Sequence, residues 1–214
     1  AEFNNPCSAT TPDTGAEERK VVALPVAPWG CFTPALNALL AHASSEGFGL
    51  ISYQSLEMAV CREDYEELKA QMEPGDVLVG AALPGHIFSP GESVEAGGRT
   101  CPWNTLALWD TARLSLTGFI PLSEGLLPGV SAGVEEATAL TLLQHLKPET
   151  SGAKLVRLSQ IEWNTNWGED EGRKQWHEAK MASKASRSSS QLQALGIPPA
   201  MVKHVDCTIK NKQG

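Results

Sequence analysis

Short unbroken apolar runs at Val21–Val26, Gly49–Tyr53 and Asp76–Leu83 predict strands covered on both faces. Between the first two, Leu36, Leu39, Leu40 and Ala43 recur at helical spacing, and Gly47 closes the turn. An acidic amphipathic stretch from about Glu63 to Met72 predicts a second helix ahead of Pro74-Gly75. Strand, helix, strand, helix, strand in that order predicts right-handed βαβ units. The expected fold is α/β: a three-layer, mainly parallel sheet with helices on both faces, in which strands 21–26, 49–54 and 76–83 are parallel and adjacent.

The pattern then changes. Pro84–Pro102 is a long Gly, Pro, Ser and Glu-rich loop, of the kind that more often serves function than connection. Asn104–Leu116 reads as a helix carrying Leu106, Trp109 and Leu114, broken at Gly118–Pro121. Val134–Leu146 is a stronger helix that opens on Glu135-Glu136, where negative charge suits the first turn. Lys154–Leu158 alternates, which predicts a strand near a sheet edge. Trp167–Lys184 is charged and helical, Ser186–Ser190 is a polar break, Gln191–Leu195 resumes briefly, and the tail from Lys203 is basic. Residues 1–19 read as a flexible leader and 20–164 as the α/β domain. Residues 165–214 read as a helical extension on the same body, too poor in apolar residues for a core of its own.

Composition narrows the function. The 42% hydrophobic content is enough for a real core, and a net charge of -8 argues against affinity for nucleic-acid backbones. No apolar run approaches the roughly 20 residues of a membrane span. Five scattered cysteines without a CxxC pair read as reduced thiols. Ala1 stands in place of an initiator Met, which reads as a cloning remnant or a processed end with any targeting segment removed. The expected compartment is the cytoplasm.

Four clusters offer chemistry. Ser55 and Glu57 follow the second strand, at the strand end where α/β proteins bind ligands, and Glu57 is either a carboxylate for Mg²⁺ or Mn²⁺ or a solvated loop residue. Glu135 and Glu136 are either helix caps or a general base with a ligand-binding neighbour. Trp103 and Asn104 border the long loop, Trp103 as a stacking wall and Trp109 as core. His177, Lys180 and Lys184 share one helix face at i, i+3 and i+7, suited to a phosphate-bearing ligand or simply to solvent. His86, directly after a strand, is a further ligand or base, and Cys31 a nucleophile without a supporting signature.

Taken in order, Leu36–Leu158 resembles the second half of a GT-A nucleotide-diphosphosugar glycosyltransferase of the family-2 kind. The matching pieces are Leu36-Asn37-Ala38-Leu39-Leu40, the strand running into Ser55-Leu56-Glu57 at the position of a DxD motif, Gly118-Phe119 for a Gly-Gly-Phe turn, and Gly133-Val134-Glu135-Glu136 for a Gly-x-Glu-Asp helix start. The first carboxylate of the metal motif is absent, Glu136 stands where the family has Asp, and no second acidic motif precedes Glu57. The resemblance implies transfer of a hexosyl unit, with inversion, from a nucleotide-sugar to a hydroxyl acceptor. Glu57 would hold Mn²⁺ or Mg²⁺ on the diphosphate, Glu136 would be the base, and His86, Trp103 and Asn104 would line the acceptor side. The competing expectation is a non-catalytic GT-A-like binding or scaffold protein; a small hydrolase using Cys31 or His86 is a third.

Overall fold

A computed structural model describes residues 21–27, 30–163 and 170–208; the expected leader and the first residues of the helix expected from Trp167 lie outside them. The elements run α1 (Thr33–Ser45), β1 (Leu50–Gln54), β2 (Met58–Ala59), α2 (Arg62–Lys69), β3 (Asp76–Ala81), β4 (Ser93–Glu95), β5 (Leu106–Asp110) and α3 (Thr111–Leu114). They continue through α4 (Glu135–Leu146), β6 (Gly152–Arg157), β7 (Glu162–Trp163), α5 (Glu171–Ala182), α6 (Lys184–Leu195) and β8 (Met201–Asp206). Six strands form one sheet in the order β1-β5-β3-β6-β8-β4, and β2 pairs with β7 in a separate ribbon.

The chain is α/β, with helices on both faces of a mixed sheet. β3 pairs parallel with β6, and β6 with β8; β5 is antiparallel to both β1 and β3, and β4 is antiparallel to β8. Strand side chains alternate between two cores. On one face Leu40, Leu114, Leu140 and Leu143 from α1, α3 and α4 meet Leu78, Trp109 and Leu155. On the other, Leu68 of α2 and Met181 of α5 join Trp103, Val79, Leu106, Leu108 and Val156.

Several expectations need correction. Residues 21–26 form no strand: the run is mostly exposed, with Val21 95% accessible, and Pro25 lacks a ladder donor. β1 and β3 point the same way but are not neighbours, because β5 lies between them. β5 itself replaces the first half of the helix expected at Asn104–Leu116. Leu106, Ala107, Leu108 and Trp109 are all buried, two on each face, and a short apolar run supports either element by spacing alone. Only Thr111–Leu114 is helical, capped where the Arg113 N–H donates to the Asp110 carboxylate at 2.8 Å.

β6 is central, not an edge. Its polar Lys154 is tolerated inside because Nζ pairs with Asp76 at 2.7 Å and Glu73 at 3.0 Å and donates to the Gln71 carbonyl at 2.7 Å. The polar break expected at Ser186–Ser190 lies within α6. There the hydroxyls of Ser186, Ser188, Ser189 and Ser190 donate to carbonyls three or four residues back, so the serines stay in the helix. The break falls instead at Ser183, between α5 and α6. The tail contributes β8 to the sheet. Among the described residues, no helix is long and apolar enough to cross a membrane.

The antiparallel β5 has a consequence for function. The segment 82–105, expected as a loop throughout, leaves the carboxyl end of β3, supplies the edge strand β4 beside β8, and returns to enter β5 at the end where it left. Its last residues lie beside the end of β1, where the Ser55 N–H donates to the Thr105 carbonyl at 2.9 Å.

Candidate functional site

A cavity of about 400 Å³ opens at this end of the sheet. Gln54 and Ser55 at the end of β1, Trp103, Asn104 and Thr105 before β5, Gly133–Glu136 at the start of α4, and Lys180, Lys184 and Arg187 at the α5–α6 corner form its walls, with Phe32 before α1. Crevices beyond the carboxyl ends of strands are where open α/β sheets bind ligands.

The start of α4 is built under strain. Gly133 has φ +96° and Val134, a β-branched residue, φ 63° and ψ 39°; it is the sole described non-glycine residue with positive φ. Gln191 of α6 holds this turn by donating from Nε2 to the carbonyls of Ser131 and Gly133. Left-handed Val costs of order 1–3 kcal/mol, and such strain concentrates at functional sites. Its effect here is to turn Glu135 and Glu136 toward Asn104. The Asn104 backbone N–H donates to Glu136 Oε1, and its Nδ2 donates to Glu135 Oε1 at 2.9 Å. Asn104 Oδ1 accepts from the Trp109 indole at 2.9 Å, which fixes the amide from behind.

Burial raises the proton affinity of both adjacent carboxylates. Burial and the neighbouring Glu135 push Glu136 up to about 8, and burial also raises Glu135. Lys184 opposes both rises, and burial draws its own ammonium down to about 8. The two carboxylates titrate as a unit, both raised above the usual carboxylate range, which suits proton transfer.

Trp103 is 1% exposed and has no open face for a sugar. The His86 ring stacks on it at 3.6 Å, and the Lys184 ammonium sits 3.2 Å from its centroid, which requires the opposite face. Its indole N–H donates to the Gly98 carbonyl at 2.8 Å. His86 lies behind Trp103, not on the cavity wall. Its Nδ1 accepts from the Leu83 N–H at 2.9 Å, and Nε2 reaches the Cys101 carbonyl at 3.1 Å, which together fit the neutral Nε2–H form. Burial lowers its proton affinity to about 3. At neutral pH it is a support for Trp103 and has no nitrogen left for a substrate.

The structure thus gathers Ser55, Trp103, Asn104, Glu135, Glu136 and Lys180 around one cavity. Glu57 and His177 lie outside its lining. Glu57 pairs with Arg173 at 3.2 Å, and His177 meets the Trp163 ring edge-on at 5.4 Å. A guanidinium on the one carboxylate of the Ser55-Leu56-Glu57 segment opposes a divalent cation there. Among the described residues no group of three or more His, Cys, Asp or Glu is gathered in ligating range.

Arg187 was not legible as a site residue, and Gly133 and Val134 were read only as the lead into Glu135-Glu136, without the strained turn they form. Arg187 continues the Lys180–Lys184 face by three residues, but it lies within the stretch read as a polar break. No protein-family model, no curated protein and no solved structure matches the chain.

Proposed function

We propose that the cavity takes a nucleotide-diphosphosugar and transfers its sugar to a hydroxyl acceptor. The observation that carries this reading is the meeting, in one cavity at the strand ends, of the Glu135–Glu136 pair, turned in by the strained Val134, and the cationic α5–α6 corner. Transfer from a diphosphate requires both. The acceptor hydroxyl loses its proton to the ionised carboxylate as its oxygen bonds to the anomeric carbon. The bond from that carbon to the diphosphate breaks at the same time, and the departing oxygen keeps the electron pair. Attack opposite the leaving group inverts the anomeric centre. Glu136 is assigned as the base because burial, helped by the neighbouring Glu135, brings its proton affinity near working pH. Ser55 and Thr105 line the wall available to the nucleotide or acceptor.

A second reading, non-catalytic binding of the same ligand, is favoured by one feature: both carboxylates already accept hydrogen bonds from Asn104. A transfer assay separates the two. Wild-type protein incubated with a panel of nucleotide-diphosphosugars, with water or added glycosides as acceptor, is expected to release nucleoside diphosphate. Glu136→Gln is expected to release it about 10²–10⁴-fold more slowly while binding the donor with similar affinity. Binding without release in the wild type supports the non-catalytic reading.

A further inference from the structure

A diphosphate leaving group must have its charge neutralised, and the segment at the DxD position is poorly equipped to do this through a metal. Ser55 stands where a carboxylate would be needed, and Glu57 is paired with Arg173. The opposite wall carries what is missing. Lys180 ends α5, and Lys184 and Arg187 begin α6. The break at Ser183 folds the two helices so that all three side chains line the cavity.

Each cation is held in place by something other than a carboxylate. Arg187 is braced: Nε donates to Ser183 Oγ at 3.0 Å, and Nη2 to the same hydroxyl at 2.6 Å and to the Lys180 carbonyl at 2.5 Å. Its Nη1 is left beside Gly133, 3.0 Å from where a Cβ would stand, so a side chain at residue 133 would press on it. Lys184 rests on the face of Trp103, whose other face is backed by His86. Gly98 of the long loop packs against the Lys184 carbonyl, and its N–H donates to Ser188 Oγ at 2.8 Å, which locks the corner to the loop. Lys180 lies 5.0 Å from the Trp176 ring centroid. Among the described residues none of the three makes an ion pair. Cations fixed at one corner of a cavity by hydrogen bonds and ring faces, with Glu135 and Glu136 facing Lys184 but not in direct ion-pair contact, offer an anion site.

We propose that Lys180, Lys184 and Arg187 bind the donor's diphosphate directly and replace a divalent cation, so that the site works without metal. This rests on the donor reading given above. The clamp also predicts a proton signature. Lys184 is surrounded by Glu135 and Glu136 of α4, Lys180 of α5 and Arg187 of α6, and burial holds its proton loosely. A bound diphosphate raises its proton affinity and that of the Glu135–Glu136 pair beside it, so binding near pH 8.5 takes up protons, and the share that Lys184→Gln removes is the share taken by Lys184.

The test is titration calorimetry on the full chain with two probes, inorganic pyrophosphate and a nucleoside diphosphate, in EDTA and then in Mn²⁺. Runs in two buffers of different ionisation enthalpy count the protons. Expected are binding in EDTA, little gain from Mn²⁺, proton uptake at pH 8.5, and affinity about ten- to a hundredfold weaker in Lys184→Gln or Arg187→Gln. Lys184→Arg should recover part of the loss. Lys180→Gln, on an exposed part of α5, is expected to weaken binding by several-fold and serves as the test if Lys184→Gln fails to fold. Binding that needs Mn²⁺ and ignores all three variants overturns the clamp and leaves the donor reading standing. Failure of both probes to bind with or without Mn²⁺ overturns both.

Discussion

The support beneath the cavity makes a pH-dependent prediction at His86. Its Nδ1 accepts from the Leu83 N–H, Nε2 faces the Cys101 carbonyl, and its ring stacks on Trp103. Burial is what chiefly disfavours a second proton on the ring, with the Lys184 ammonium beyond the indole adding to it, while the Leu83 carbonyl, 3.1 Å from Nδ1, and the Cys101 carbonyl work the other way. The folded ring consequently resists protonation down to about pH 3, against 6.5 for an ordinary imidazole. At 1.36 kcal/mol per tenfold in proton affinity, that gap is worth at most about 5 kcal/mol. The sign follows from linkage: a depressed imidazole takes its proton in the unfolded chain first. His86's contribution to stability is therefore complete above pH 6.5 and falls progressively as the pH drops from 6.5 toward 3. His86→Asn removes the stack and one or both hydrogen bonds, at a cost of about 2–4 kcal/mol at pH 7.5. At pH 4.5 that disadvantage should shrink by about 2–3 kcal/mol, since wild type alone then loses the imidazole contribution. Urea unfolding of both proteins at the two pH values, followed by tryptophan fluorescence, measures the difference. An unchanged gap would show that His86 binds its proton with ordinary affinity, and the description of the Trp103 support would be wrong.

Three further outcomes are expected. Asn104→Ala strands the buried Trp109 indole N–H and frees Glu135, so it should lower stability by about 2–3 kcal/mol in the same urea assay. Glu136→Gln mimics the protonated acid, so its stability advantage over wild type should grow as pH rises from about 4.5 to about 8, the interval in which the folded carboxyl alone retains its proton. Equal pH profiles for the two proteins would refute the raised proton affinity. Val134→Gly should stay within about 1 kcal/mol of wild type, since relief of left-handed strain offsets the lost burial of a side chain that is 7% exposed. A loss above 3 kcal/mol would show that the turn is not strained.

What the residues disclosed, and what they concealed, has physical causes. α4 was legible because its twelve residues open on a charged first turn and run on as a sustained, largely apolar helix. β3 was legible because six consecutive buried positions tolerate little else. β5 was not, since a run of four apolar residues satisfies a helix face and a doubly covered strand equally well, and its antiparallel insertion between β1 and β3 depends on tertiary pairing. β6 looked like an edge because Lys154 gave it a polar alternation, and nothing local to the chain reveals that Asp76 and Glu73 will neutralise that lysine. The site was more readable than the sheet. Loops at strand ends concentrate polar residues whatever the strand order, so Ser55, Asn104, Glu135 and Glu136 meet even though the sheet is mixed. Arg187 escaped notice because a run of serines reads as a break unless their hydroxyls are known to bond back into the helix. The roles of Trp103 and His86 depend on what covers each ring face, which spacing along the chain does not encode.

The central claim is that one cavity brings a carboxylate base and a cationic clamp to the two ends of a sugar–diphosphate bond. A crystal structure of the protein with a nucleoside diphosphate, grown in EDTA, tests this most directly. The account predicts the diphosphate against Lys184 and Arg187, with its terminal phosphate facing the Glu135–Glu136 pair across the cavity. A diphosphate seated at Glu57 and Arg173, or anywhere away from the α5–α6 corner, would contradict it.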